Sequence, residues 1–192
     1  MQNSSDFLNQ DFTESYNQLR YYGSNILDSF KFIFTVYISM VGGSITILSI
    51  DAGVNLMLLL KVLLSFTVIF GFFIMWYIIE LRKYYVKTSR YINEIRKTHL
   101  TAIANEFKNK TNYYTDYDKP AYFSWRSSQI LLILILSFFN SVTLGILSDV
   151  CKIGHLFISI LITVLSLGLH VSFAWFILHK ADKNSTGHRH LS

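Results

Sequence analysis

The chain has 192 residues, of which 52% are hydrophobic and 15% charged, with a net charge of +5, one proline and one cysteine. A soluble domain carries about 25% charged residues, so this balance argues against a soluble fold, and the lone Cys151 excludes an intramolecular disulfide. The apolar residues fall in uninterrupted runs, not in alternating segments of about ten, which excludes a transmembrane β-barrel. Four runs, at 30–49, 54–79, 129–147 and 153–178, are long enough to cross a bilayer, which takes about 20 helical residues. Backbone polar groups in lipid need internal partners, so the expected fold class is all-α: a polytopic membrane protein with four transmembrane helices in two hairpins. The corresponding division is an N-terminal tail (1–29), a first hairpin (30–79), a central polar segment (80–126), a second hairpin (127–178) and a C-terminal tail (179–192).

The N-terminal tail is acidic, with Asp6, Asp11, Glu14 and Asp28 against Arg20, and carries no pattern of a cleavable signal. Phe12, Tyr16, Leu19, Gly23, Ile26 and Phe30 recur at spacings of four and three, the period of a helix face. That stripe runs in register into the first span and predicts an amphipathic helix that packs on the central segment or lies on the membrane surface, with a mobile acidic tail as the alternative. In the first span, Thr35, Ser39, Gly42, Gly43 and Thr46 share one side, where small residues let helices approach closely in lipid. The second span holds Lys61 and Ser65. A lysine within a span costs on the order of 3 kcal/mol at the centre and less near an end. Lys61 is therefore expected to snorkel outward or to pair with Asp51 or Asp149, with a role in ion or substrate passage as the alternative.

The central segment has two faces. Leu81, Tyr85, Thr88, Ile92, Ile95, His99 and Ala102 follow a helical period, and Arg82, Lys83, Lys87, Arg90, Arg96 and Lys97 gather on the other half of the wheel. The apolar face, with Phe12, Tyr16 and Leu19 of the tail, predicts a packed helical layer outside the membrane. The basic face invites contact with nucleic-acid phosphates, but the charge of a cytoplasmic loop beside an anionic leaflet explains it better, so a nucleic-acid partner is not expected. Pro120 ends the helical pattern before an aromatic cluster of Tyr113, Tyr114, Tyr117, Tyr122, Phe123 and Trp125, which reads as an interfacial re-entry.

Polar side chains recur in the second hairpin. Ser137, Ser141 and Gly145 stand four apart with Asn140 beside them, and His155, Ser159, Thr163, Ser166 and His170 fall within a narrow arc. At that depth they must face protein or water. Two readings stand: ordinary helix packing, with hydroxyls bonded to their own i−4 carbonyls, or the lining of an aqueous path that includes Ser39, Thr46 and Lys61. His155 and His170 are about 22 Å apart along a helix, too far to share a metal, and no cofactor is expected.

Ten of the seventeen Lys and Arg residues lie between Glu80 and Arg126, and the two short loops carry one. Positive charge favours the cytoplasmic side, so both termini and the central segment are expected inside, in the cell membrane. No nucleotide-binding glycine loop, His-Glu-x-x-His, nucleophile elbow or cysteine pair is present, so an enzyme is not expected. Two closely spaced spans followed by a basic helix carrying Arg90-Tyr91-Ile92-Asn93-Glu94-Ile95-Arg96 resemble the small multi-spanning membrane effectors and accessory proteins of prokaryotic antiviral defence systems of the CRISPR type. The resemblance implies an oligomeric, membrane-perturbing or pore-forming protein gated by a partner or signal. The function expected is therefore a homo-oligomer that forms or gates a transmembrane pore. The alternatives are a non-conducting scaffold that recruits a cytoplasmic protein through the central helix, and a small-solute transporter.

Overall fold

A computed structural model describes residues 4–49, 53–103, 115–116, 118–153 and 156–187, without the side chains of 4–5, 7, 48–49, 99–103 and 186–187. Among the described residues the only regular structure is four α-helices: α1 (Ser4–Ser49), α2 (Val54–Ile103), α3 (Ser128–Val150) and α4 (Leu156–Gly187). All four are long and apolar enough to cross a membrane. The protein is a multi-pass membrane protein of all-α fold.

The helices differ greatly in length, and their bounds do not follow the changes in composition. The N-terminal stripe and the first span form one continuous helix of 46 residues, and the second span runs without a break into the basic segment as one helix of 50. At about 1.5 Å per residue these are roughly 70 and 75 Å long, against about 30 Å of hydrocarbon. The composition changes at Ser29 and Glu80, but neither junction carries a proline to interrupt the hydrogen-bond ladder. The 23-residue α3, about 35 Å long, matches the bilayer closely. One end of the bundle holds the C-terminus of α1, the N-terminus of α2, the C-terminus of α3 and the N-terminus of α4 (the hairpin end). At the other the chain projects beyond the bundle (the stalk end).

The core runs through all four helices. Ile26, Ile33 and Tyr37 of α1 meet Met75, Ile78 and Ile79 of α2, Ile133 and Leu136 of α3, and Ala174 and Leu178 of α4. Only 11% of the most apolar stretch of α4 is buried, so its leucines, isoleucines and valines face outward, as lipid contact requires. The indoles of Trp76, Trp125 and Trp175 are exposed toward the stalk end of the apolar region, where such rings favour the headgroup level.

Along the stalk, the two stripes expected to pack do meet. Leu81, Ile92 and Ile95 are buried, Tyr85 lies 3.7 Å from where a Cβ on Gly23 would stand, and Tyr22 stacks on Tyr84. The Arg96 guanidinium covers the ring of Phe12, Leu19 is half-buried, and Tyr91 donates a hydrogen bond to Asp11. Tyr16 stays exposed with Arg20 over its ring. His99 falls outside the described side chains.

At the hairpin end α3 closes through a tight cap. Cys151 N–H donates to Leu147 O, Lys152 N–H to Asp149 O and Ile153 N–H to Ser148 O, with Lys152 in the left-handed region at φ 54°. Glycine favours this position because a Cβ crowds the neighbouring carbonyl, at a cost of about 1 kcal/mol. Lys152→Gly is expected to stabilise the fold by about that amount, read as a higher midpoint of thermal unfolding in detergent.

Candidate functional site: a four-helix polar junction and an arginine clamp

Midway along α3 the four helices converge on one polar junction. Tyr37 of α1 donates its hydroxyl to Asn140 Oδ1 of α3 at 3.0 Å, and Asn140 Nδ2 stands 2.9 Å from His170 Nε2 of α4. Gly71 of α2 makes the space: a Cβ there would meet Tyr37 Oη at 1.7 Å and Asn140 Oδ1 at 2.8 Å. The bonds fix the tautomer. Asn140 Nδ2 can only donate, so His170 Nε2 accepts, and Nδ1 carries the proton that it gives to Ser166 O at 2.7 Å. The flipped amide would leave Nδ1 and the Ser166 carbonyl as two acceptors face to face. A second proton on the ring would instead force Asn140 to turn its carbonyl toward His170 and withdraw the acceptor from Tyr37. The junction therefore couples α4 to α1 through one amide.

The junction continues along the α3–α4 seam. Ser141 Oγ donates to Ser137 O at 2.7 Å and reaches Ser166 Oγ at 3.3 Å, Ser137 donates to Ile133 O, and Thr163 donates to Ser159 O. Gly145 lets the helices close, since a Cβ there would stand 2.1 Å from Thr163 Oγ1. Each interhelical bond is worth about 0.6 kcal/mol in lipid, so the junction fixes helix register more than it adds stability. Among the described residues, Ser148 and Ser159 keep buried hydroxyls with no hydrogen-bond partner.

The residues expected to line one path are thus divided among three places. Ser137, Asn140, Ser141, Ser159, Thr163, Ser166 and His170 form the packed interior. Ser39 and Thr46 do not join them: they lie exposed on α1 with Thr35, Gly42 and Gly43, opposite the buried Ile26, Ile33, Tyr37 and Ser44. The bulky side chains Ile33 and Tyr37 fill the core, which turns the small residues outward. Lys61 lies at the hairpin end and makes no ion pair with Asp149. His155 and Asp51 fall outside the described residues.

The basic face of α2 also divides. Arg82 and Arg90, expected to point away from the packed layer, are only 3% and 5% exposed. Arg82 donates from Nη2 to Ala121 O at 2.9 Å, from Nε to Tyr122 O at 3.3 Å, and from Nη1 to Gln129 Oε1 at 2.6 Å. Arg90 donates to Pro120 O at 3.0 Å, to Ser185 Oγ at 2.8 Å and to Asp182 Oδ1 at 2.6 Å, with its guanidinium over the Tyr122 ring. Asn93 adds two donors to Asp116 O and Lys119 O. The irregular connection before α3 exposes carbonyls that no helix satisfies, and forked cations suit them. Within that connection Asp116 accepts the N–H of Asp118, which holds its carboxyl below the usual carboxylate range, with Lys119 assisting. Of the remaining cations, Lys83 pairs with Glu80, and Lys87 and Lys97 are exposed.

No cluster of three or more His, Cys, Asp or Glu side chains that could hold a metal occurs among the described residues. The chain matches no family model, no curated protein and no solved structure.

Proposed function

We propose that the protein works as a homo-oligomer in the membrane and forms or gates a transmembrane path, with α1 turned toward the neighbouring copies. The observation that carries this reading is the outward stripe of Thr35, Ser39, Gly42, Gly43 and Thr46. The outward face of α2 in the apolar region is instead bulky, at Val62, Phe66, Ile69 and Phe73, and α4 turns only Gly168 and Ser172 outward as small residues among its exposed leucines and isoleucines. Small side chains let two backbones approach, and copies gathered about such faces surround their axis with hydroxyls and glycine backbone, the groups a hydrated path needs. The lysine and arginine distribution supports a cytoplasmic stalk. The resemblance to antiviral membrane effectors supports gating there by a protein partner.

Reconstitution into planar bilayers is expected to give stepwise conductance, and nanodisc preparations to hold several copies. Gly42→Leu with Thr46→Leu is expected to reduce both by about tenfold, the loss of roughly 1.4 kcal/mol per contact. A monomer that never conducts overturns the proposal. A second reading rests on the hydroxyls of Thr35 and Thr46, which already bond Lys31 O and Gly42 O and so tolerate lipid or plain packing. It is a non-conducting scaffold, and oligomers that assemble through α1 but stay silent would favour it.

A further inference from the structure

At the hairpin end a cleft of about 620 Å³ opens between the start of α2 and the end of α3. Val54, Met57, Leu58 and Val150 form its walls, and Lys61, Asp149 and Lys152 supply its polar groups. Lys61 lies about 10 Å below the first residue of α2, half-buried in an otherwise apolar stretch. A cation at that depth needs a counter-anion, yet Lys61 makes no ion pair among the described residues, although Asp149 lines the same cleft. Lys152 adds a second ammonium from a backbone position that glycine would occupy at lower cost. The N-terminus of α2 opens at the same mouth, and its dipole adds a positive end. Among the described residues that line it, two ammonium groups and a helix N-terminus outweigh one carboxylate, so the cleft favours an anion.

The walls decide what kind of anion. Val54 and Leu58 flank the mouth beside Lys61, and below it the exposed Val62, Phe66 and Ile69 carry an apolar surface from the cations toward the hydrocarbon. A ligand that satisfies both parts has a negatively charged head and an apolar tail, and sits at the depth where phospholipid headgroups lie. We propose that the cleft binds an anionic phospholipid, its phosphate between Lys61 and Lys152 and its acyl chains descending past Leu58 along Val62, Phe66 and Ile69. This site is independent of whether the protein conducts.

Native mass spectrometry of the purified full chain, released from detergent with added phosphatidylglycerol or phosphatidylcholine, tests it. One phosphatidylglycerol per chain is expected to be retained and phosphatidylcholine lost. Lys61→Gln with Lys152→Gln is expected to lower that retention by about tenfold, while Lys97→Gln at the stalk end leaves it unchanged. The charge-preserving pair Lys61→Arg with Lys152→Arg is expected to keep the lipid, which separates loss of charge from loss of fold. Equal retention of the two lipids by the unsubstituted protein overturns the proposal whatever the variants do. So does undiminished retention by the glutamine pair, or displacement of the lipid by millimolar inorganic phosphate, which would make this a site for free anions.

Discussion

Gly71→Ala is expected to destabilise the four-helix core by about 3–5 kcal/mol. The added methyl would stand 1.7 Å from Tyr37 Oη and 2.8 Å from Asn140 Oδ1, separations no real contact reaches. Tyr37 is fully buried and cannot swing out, so either α1 and α2 separate or the ring abandons its bond to Asn140. Overpacking of this kind costs about 1–3 kcal/mol, and an Asn140 carbonyl left buried without a donor adds about as much. The check is a double-mutant cycle read by chemical or thermal unfolding in detergent. Tyr37→Phe removes the closest atom, after which the nearest ring carbon stands 2.9 Å away. Gly71→Ala is therefore expected to cost less in the Tyr37→Phe background than alone, a coupling of at least about 1 kcal/mol. Simple additivity, with Gly71→Ala near neutral, would mean that α1 and α2 do not meet here.

How much of this was open to a reader of the sequence depends on whether the signal is local. The four spans were, because hydrocarbon demands unbroken apolar runs and these runs are long. Asn140 and His170 were also visible, as polar groups at a depth where they must find partners. Tyr37 and Gly71 were not singled out. A tyrosine among phenylalanines looks like lipid-facing aromatic surface, and its partner stands 103 residues away. The one available hint was that Gly71 is the sole glycine of α2, placed within a run of large apolar residues. Helix continuity is legible at the N-terminal end, where the stripe from Phe12 runs in register into the first span, and less so after the second span. Charge changes at Glu80, but a change of solvent does not break a helix, and the absence of proline or glycine there was the better guide.

The outward face of α1 shows a further limit. Periodicity shows that Thr35, Ser39, Gly42 and Thr46 lie together, but not whether their neighbour is in the same chain. The bulk of Ile33 and Tyr37, on the opposite side, decided which face turned inward.

Arg82→Ala is expected to destabilise the connection before α3 by about 3–5 kcal/mol, while leaving the spans folded. The helical wheel put Arg82 with the exposed lysines, yet Arg82, Val86, Arg90 and Asn93 recur at four, four and three and form an inward face of their own. A wheel that sorts residues only into apolar and charged hides such a face. Removing Arg82 strips donors from Ala121 O, Tyr122 O and Gln129 Oε1 together, and each buried acceptor left bare costs about 1–3 kcal/mol. Lysine does not replace it, since one ammonium cannot span three divergent acceptors as the planar fork does. Hydrogen–deuterium exchange over residues 118–127 is the measurement: Arg82→Ala and Arg82→Lys are both expected to speed exchange there by at least about a hundredfold, with helical circular dichroism nearly unchanged. Lys87→Ala, at an exposed position on the same helix, is expected to shift stability by less than about 0.5 kcal/mol. Asp182→Asn isolates the Arg90 arm and is expected to loosen the end of α4 while residues 121–122 stay protected. If Arg82→Ala and Lys87→Ala behave alike, Arg82 belongs to an outward basic surface after all, and the stalk loses the contact that ties the α3 entry to α2.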